Sequence, residues 1–303
     1  MSKINIQFTL FSAFYSPLIV TMAGGFLKRE GLEYEWSVSP AGVPAVAAFM
    51  DGSAQVVQSA PSQAFNAIAQ GESDYPLHFA QINEMDGFFI SGREADADFS
   101  WHQLEGAEVV MFGGGQPNAM FRYACHRAGI DYDKIHALTP GGADAIDQAF
   151  RAGDGQYVQQ QGPYPQQLED EGVGNIVAQV GPLIGPCAFS SLAASREWLD
   201  TEEARAFTRA YASARQYLNQ TPAGEVAALE QSYFPATSST ALEQCIASYQ
   251  QLGCWTPHVE ITKPAFEVTL DVFSYTGGIS ERYPYELVCA APPSSPGPAH
   301  GHG

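Results

Sequence analysis

The sequence predicts an α/β protein of two lobes, each built on a mostly parallel sheet flanked by helices. The chain has 303 residues, which is enough for about two domains of ordinary size. Apolar residues make up 45% of it, so a large core is expected. Strand and helix patterns alternate in two successive units, the second of which begins near residue 100. This order is typical of parallel sheets with helices on both faces.

The first 31 residues are expected to form the first strand and helix. Along the strand, apolar residues alternate with polar ones at Ile4, Ile6, Phe8 and Leu10. Ser16-Pro17 is typical of a helix start, and Gly31 ends the apolar stripe that follows. We therefore interpret this apolar stretch as folded structure rather than an export signal. The chain as written is expected in the cytoplasm, or in the periplasm if a native leader is missing from it.

Further elements are expected from short apolar runs and from helical periodicity. Strands are predicted at 34–38, 54–58, 77–82, 87–91, 108–112, 156–160 and 175–180. Helices are predicted from near Val43 and at 62–70, 117–129, 143–151 and 163–171, and the pattern is helical from 201 onward, with helices at 223–232, 239–252 and 263–276. Residues 291–303 are so rich in Pro, Gly and Ser that we expect a disordered tail.

The composition excludes several classes of protein. With 33 acidic against 14 basic residues, the net charge of −19 repels nucleic acid and anionic lipid. The five cysteines are far apart and show no CxxC spacing, so buried free thiols are expected rather than a zinc cluster or a disulfide framework. No cofactor or metal is expected, and no segment after the N-terminal stretch could span a membrane.

Five stretches, read in order, carry a resemblance to a known family. They are GFLKREGLEYEW, PAGVPAVAAFMDGSAQVVQSAPS, WHQLEGAEVVMFGGGQPNAMFRYACHRAGID, GQYVQQQGPYPQQLEDEG and a C-terminal set that ends in YPYELV. In this order and spacing, the chain resembles the sulfonate, nitrate and thiamine-precursor binding family of transporter-associated proteins. The resemblance implies a solute-binding protein rather than an enzyme. It also implies a small-molecule ligand and an ABC permease as partner.

The resemblance implies a type II periplasmic-binding-protein-like fold, in which two lobes are joined by two crossings. Each lobe would be a mixed, mostly parallel sheet flanked by helices. The first lobe would hold residues 1–88 and 187–290, and the second would hold residues 92–184. Ligand would bind between the lobes, at the carboxyl ends of the strands.

Candidate ligand-binding residues of the first lobe lie in loops that follow its strands. The first loop offers aromatic rings for stacking and hydroxyls for orientation, and the next two precede helices with free N–H groups. The loop near the expected hinge adds an amide and two carboxylates that suit amino or amidine groups. The candidates are Ser12, Phe14, Tyr15, Gly42, Ser59, Gln81, Glu84 and Asp86.

Candidate residues of the second lobe lie in two loops. A glycine run lets the backbone approach a ligand at a helix start, and a glutamine-rich loop supplies amide groups and one aromatic ring. These candidates are Gly114, Gly115, Gln116, Asn118, Gln160 and Tyr164. The glycine run matches neither GxxxxGK nor GxGxxG, so nucleotide binding is not indicated.

Arginine is absent from all of these loops, although sulfonate, nitrate or phosphate recognition normally uses a guanidinium or several converging donors. We therefore predict a neutral or weakly basic flat ligand, such as an aminopyrimidine-like thiamine precursor or another heteroaromatic molecule. The alternative is a cytoplasmic enzyme on the same fold, similar to an aromatic sulfinate desulfinase, a dihydroxyphthalate decarboxylase or a thiamine-pyrimidine synthase. The nucleophilic cysteine of a desulfinase-like enzyme would fall near Ser12, where there is no thiol, and Cys187 stands alone where the synthase has a cysteine-rich run.

Overall fold

A computed structural model describes residues 2–40, 43, 48–49 and 51–294 of the chain. The predicted helix that begins near Val43 therefore lies largely outside the described residues, as does the candidate Gly42. Of the predicted tail at 291–303, only 291–294 are described. The helices of this part of the chain include none that is both long and apolar enough to cross a membrane.

The described strands, in chain order, are β1 (Ser2–Phe8), β2 (Leu32–Val38), β3 (Val56–Ser59), β4 (Leu77–Asn83), β5 (Phe88–Gly92), β6 (Glu108–Val110), β7 (His136–Leu138), β8 (Tyr157–Gln161), β9 (Asn175–Gln179) and β10 (Ser190–Ala194). The helices of the first half are α1 (Ser16–Ala23), α2 (Phe26–Arg29), α3 (Ser62–Ala69), α4 (Gly115–Ala128) and α5 (Ala143–Ala152). Those of the second half are α6 (Tyr164–Asp170), α7 (Gly181–Ile184), α8 (Arg196–Leu199), α9 (Glu202–Gln220), α10 (Ala223–Glu230), α11 (Ser239–Leu252), α12 (Lys263–Tyr275) and α13 (Tyr285–Val288).

The first sheet has the strand order β2-β1-β3-β10-β4. Strand β1 pairs in parallel with both β2 and β3, and its alternating residues Ile4, Ile6 and Phe8 are buried in the core. Strand β10 runs antiparallel to β3 and β4, which makes the sheet mixed. The predicted first strand is thus confirmed as an internal strand of this sheet.

The second sheet has the strand order β7-β6-β8-β5-β9. Strand β6 pairs in parallel with β7 and β8, whereas β5 runs antiparallel to β8 and β9. Both sheets are therefore mixed and flanked by helices, which confirms the predicted fold class. The first sheet takes its strands from residues 2–83 and 190–194, and the second takes its strands from residues 88–179.

The predicted first helix is divided in two. Helix α1 begins at Ser16-Pro17, as predicted, but ends at Ala23, and α2 begins only at Phe26. Between them, Gly25 adopts a left-handed backbone with φ of 69°, a conformation that glycine reaches without the steric cost of a side chain. The apolar stripe is continuous in sequence, but the backbone turns at this glycine.

The chain crosses from the first sheet to the second at residues 84–87 and returns at residues 180–189. A buried arginine holds the end of β4, just before the first crossing. Arg215 of α9 donates from its Nη1 to the carbonyl oxygens of Gln81 at 2.8 Å and Ile82 at 3.1 Å. Its Nε donates to the Thr256 carbonyl oxygen at 2.9 Å. These bonds compensate the cost of burying a charged group and hold the end of β4 against the C-terminal helices.

The five cysteines are all free thiols buried in the fold, as predicted.

Candidate ligand-binding cleft

A cavity of about 260 Å³ lies between the two sheets, at the carboxyl ends of β1, β3 and β8. Ligands of open α/β sheets bind at this edge, because the loops that follow parallel strands converge there. The residues that line the cavity come from both sheets and from both crossings. They are Thr9, Leu10, Tyr15, Gln58, Ser59, Ala60, Gln63, Phe88, Phe112, Gly115, Gln116, Pro117, Gln161, Phe189 and Ser190.

One wall of the cavity is aromatic. The Phe88 ring meets Phe112 edge to face, with ring centroids 5.9 Å apart, and it meets Phe189 at 6.3 Å. Phe88 begins β5 and Phe189 precedes β10, so this wall is built where the chain crosses between the sheets. Aromatic faces and edges arranged in this way suit a flat ligand.

The amide of Gln58 has a fixed orientation. Its Oε1 accepts hydrogen bonds from the backbone N–H groups of Thr9 at 3.0 Å and Leu10 at 3.4 Å. The Thr9 hydroxyl in turn donates to the Gln58 carbonyl oxygen at 2.8 Å. Because two backbone donors occupy Oε1, the Nε2 group is the part of this side chain that is left to donate, to the Tyr15 hydroxyl or to a ligand.

Tyr15 and Gln161 extend the polar part of the cavity. Burial raises the pKa of the Tyr15 hydroxyl to about 12, while the nearby amides of Gln161 and Gln58 oppose the rise. The hydroxyl is therefore neutral at pH 7 and can donate or accept. Gln161 is buried, and its Nε2, although near the Tyr15 hydroxyl, makes no close hydrogen bond to any of the described residues. An unpaired buried donor in a cavity wall is costly unless a ligand or water pairs with it.

The wall of this cavity contains no charged side chain among the described residues. Its polar groups are amides and hydroxyls, so an ionised ligand would lose hydration without gaining an opposite charge. The cavity itself is therefore suited to a neutral ring.

Gln116 joins the two lobes across the cleft. Its Oε1 accepts a hydrogen bond from the Ser62 hydroxyl at 2.5 Å, and its Nε2 donates to the Phe189 carbonyl oxygen at 2.5 Å. Ser62 begins α3 on the first lobe, whereas Gln116 lies in the first turn of α4 on the second. Both ends of this amide are thus used within the protein.

Four of the predicted site residues line the cavity, namely Tyr15, Ser59, Gly115 and Gln116. Two others lie beneath it. The Ser12 hydroxyl donates to the Gly162 carbonyl oxygen at 2.5 Å and accepts from Phe14 N at 3.0 Å, so it caps a short 3₁₀ turn. Phe14 is fully buried, and its ring lies against the α-carbon of Gly87 and the ring of Tyr249.

The three candidates near the hinge each contact another group of the protein. Gln81 donates from Nε2 to the Ser190 carbonyl oxygen at 2.8 Å. Glu84 pairs with His258, with 2.7 Å between carboxylate and imidazole. Asp86 is buried and accepts from the Phe88 N–H at 2.7 Å. None of the three lines the cavity.

The remaining candidates on the second lobe also lie apart from the cavity wall. Gly114 caps the start of α4, and Asn118 donates to the Phe112 carbonyl oxygen at 3.1 Å. Gln160 donates to Asp147 at 3.1 Å, and the Tyr164 hydroxyl donates to Asp144. In strand β8, neighbouring side chains point to opposite faces, so Gln160 faces α5 while Gln161 faces the cavity.

The aromatic wall and Gln58 are not among the residues predicted from the sequence. The predicted residues come from loops, whereas Gln58, Phe88 and Gln161 belong to the strands themselves. A polar residue near the end of a buried strand was the available signal, since Gln58 follows the apolar pair at 56–57.

A profile of the NMT1-like family matches residues 8–229. A curated protein of Bacillus subtilis (strain 168), the proposed binding protein YtlA, is 26% identical over 289 residues, which cover 94% of this chain and 86% of that protein.

Solved structures support the same architecture. The alkanesulfonate-binding protein SsuA from Xanthomonas axonopodis pv. citri, bound to MOPS, has a TM-score of 0.72 at 17% identity, over 95% of this chain and 98% of that one. The periplasmic nitrate-binding protein NrtA from Synechocystis PCC 6803 has a TM-score of 0.63 at 14% identity, over 96% and 92% of the two chains. At these identities the likeness establishes the fold.

Proposed function

The chain belongs to the NMT1-like family, and from this premise we propose that it is a solute-binding protein whose two lobes close on one flat heteroaromatic molecule. A thiamine-precursor-like ring, such as an aminopyrimidine, fits this description. The curated relative is described as a proposed binding protein, and the two similar structures are described as alkanesulfonate- and nitrate-binding proteins. None of these descriptions is of an enzyme.

The observation that carries the proposal is the lining of the cleft. The cavity combines an aromatic wall with the amide of Gln58, whose Oε1 already accepts backbone hydrogen bonds. No charged side chain lines the described part of the cavity. Its volume of about 260 Å³ lies just below the range of about 300–1,000 Å³ that is typical of ligand sites. A single ring with small substituents is the size of ligand that this space favours.

Because residues of both lobes line the cavity, a ligand bound there should favour the closed state. Tyr15 and Gln58 belong to the first lobe, while Gly115 and Gln161 belong to the second. A ligand that touches both sets binds the closed state more tightly than the open state, and only this difference shifts the equilibrium. We propose that the closed form then delivers the solute to an ABC permease.

Two groups that an enzyme on this fold could use, Cys187 and His78, are poorly suited to catalysis. Burial raises the pKa of the Cys187 thiol well above its usual value, and the neighbouring Asp86 adds to the rise. Burial also lowers the pKa of His78 to about 3, so its imidazole is neutral at pH 7. A thiol held protonated is a poor nucleophile.

Titration calorimetry with a panel of aminopyrimidines, pyridines and related heteroaromatic molecules tests the proposal. We expect saturable one-to-one binding, with the ligand recovered unchanged after incubation with sub-stoichiometric protein. Conversion of the tightest ligand into product over many turnovers would contradict a binding role. Binding of free nitrate or methanesulfonate in preference to every ring compound would contradict the proposed ligand class.

A further inference from the structure

A second cavity, of about 310 Å³, lies beside the cleft between α3, α4 and the end of α12. Three residues, Gln63, Gly115 and Gln116, line both this outer cavity and the cleft. The hydrogen bond between Ser62 and Gln116 lies at their junction, because Ser62 lines the outer cavity and Gln116 lines both. The two spaces are thus neighbours that one ligand could occupy together.

The outer cavity has an electrostatic character that the cleft lacks. Arg122 of α4 lines it, and no carboxylate lines the described part of it. Helices α3 and α4 both begin at this cavity, so their amino ends add partial positive charge and free N–H groups. In a protein of net charge −19, such a space is a local exception to the surrounding field.

The guanidinium of Arg122 has no carboxylate partner among the described residues. Its recorded contact is with the ring of Tyr132, at 5.4 Å from the ring centroid. Among the described residues, four other arginines pair with carboxylates, namely Arg151, Arg205, Arg209 and Arg282. A ligand carboxylate could therefore pair with Arg122 without displacing a carboxylate of the described protein.

We propose that the outer cavity is a subsite for the carboxylate of the ligand whose ring occupies the cleft, with Arg122 as the group that recognises it. The inference rests on the proposed function and narrows it from a flat heteroaromatic molecule to a heteroaromatic acid. The ring lies against Phe88 and Phe112, and its side chain passes Gln63 and Gln116. The uncharged cleft and the positive outer cavity then recognise different parts of one molecule.

Calorimetry on the full chain at pH 7 tests the subsite with matched probes. The probes are pyridine-3-carboxylate, pyridin-3-ylacetate and 3-(pyridin-3-yl)propanoate, each compared with its own carboxamide. We expect the acid of suitable length to bind at least about tenfold more tightly than its amide. Arg122→Gln should abolish this preference by weakening acid binding, and Arg122→Lys should retain part of it.

Arg127→Gln is the matched control, since Arg127 lies on the same helix, is exposed and does not line the cavity. It should keep the full preference for the acid. If amides bind and acids bind no better, or if Arg122→Gln weakens both alike, the subsite is refuted while the proposed function stands. If no acid or amide binds at all, the proposed heteroaromatic ligand fails together with the subsite.

Discussion

The Tyr249 hydroxyl accepts a hydrogen bond from the backbone N–H of Gly162 at 2.6 Å, and so connects helix α11 to the end of strand β8. The same hydroxyl donates to the carbonyl oxygen of Gly87 at 3.1 Å, next to the first crossing. Tyr249 is fully buried, so neither backbone group has water as a replacement partner. One side chain thus joins the C-terminal helices to both the crossing and the second sheet.

Tyr249→Phe is expected to lower the free energy of unfolding by about 1–3 kcal/mol, because it leaves buried backbone groups without partners. Urea denaturation of the variant and the wild type measures the loss. Tyr285→Phe is the control, since the half-buried Tyr285 hydroxyl makes one recorded hydrogen bond, to the Ile261 carbonyl oxygen at 2.7 Å. Equal losses in the two variants would contradict a special role for Tyr249.

Tyr15 and Tyr164 differ in their relation to the cleft, and ligand affinity should differ accordingly. Tyr15→Phe keeps the ring but removes a neutral hydroxyl from the cavity wall, so we expect about a tenfold loss of affinity. Tyr164→Phe should leave affinity unchanged, because its hydroxyl donates to Asp144 outside the cavity. Calorimetry with the tightest heteroaromatic ligand measures both. A loss confined to Tyr164→Phe would place the ligand elsewhere.

The five thiols should be unreactive in the folded protein. All are buried, and burial raises the pKa of each, so the thiolate that attacks a disulfide reagent is both scarce and inaccessible. Ellman's reagent at pH 8 should label the native chain slowly and five thiols rapidly after denaturation. Rapid labelling of one thiol in the native chain would reopen the enzyme alternative.

Much of the fold follows from periodicity, and what does not follow has a physical reason. The alternation of Ile4, Ile6 and Phe8 predicts β1 because one face of that strand is buried in the core. Strand β10 was missed because its residues, Ser190–Ala194, are all buried and include no β-branched side chain. It follows the second crossing and forms by pairing with β3 and β4, which are distant in sequence.

The position of the cavity was predictable from the sequence, but not all of the residues that line it were. Loops after parallel strands predicted Tyr15 and Ser59 at the cavity wall, and both line it. The choice between Gln160 and Gln161 depends on which face of β8 meets the cleft, and only the tertiary structure determines that. Arg122 is not among the predicted residues because it lies within α4 rather than in the loop that precedes it.

Asp86 at the first crossing should make the stability of the protein depend on pH. Burial raises the pKa of its carboxyl from 3.8 to about 7, although the Phe88 N–H opposes this by donating to it. The folded state therefore binds a proton between about pH 4 and 7 that the unfolded chain has released. Its contribution to stability is fully present below the unfolded pKa and is lost as the pH rises through the folded pKa.

Asp86→Asn keeps an acceptor for the Phe88 N–H and removes the titration. Between pH 5 and 8, the wild type should lose about 2–3 kcal/mol more unfolding free energy than the variant, since one pKa unit corresponds to about 1.4 kcal/mol. Buried Glu230, whose pKa is also raised by burial, titrates in the same direction in both proteins and cancels in the comparison. Urea denaturation at each pH gives the difference. Identical pH profiles would mean that the Asp86 carboxyl is ionised in the folded protein throughout this range.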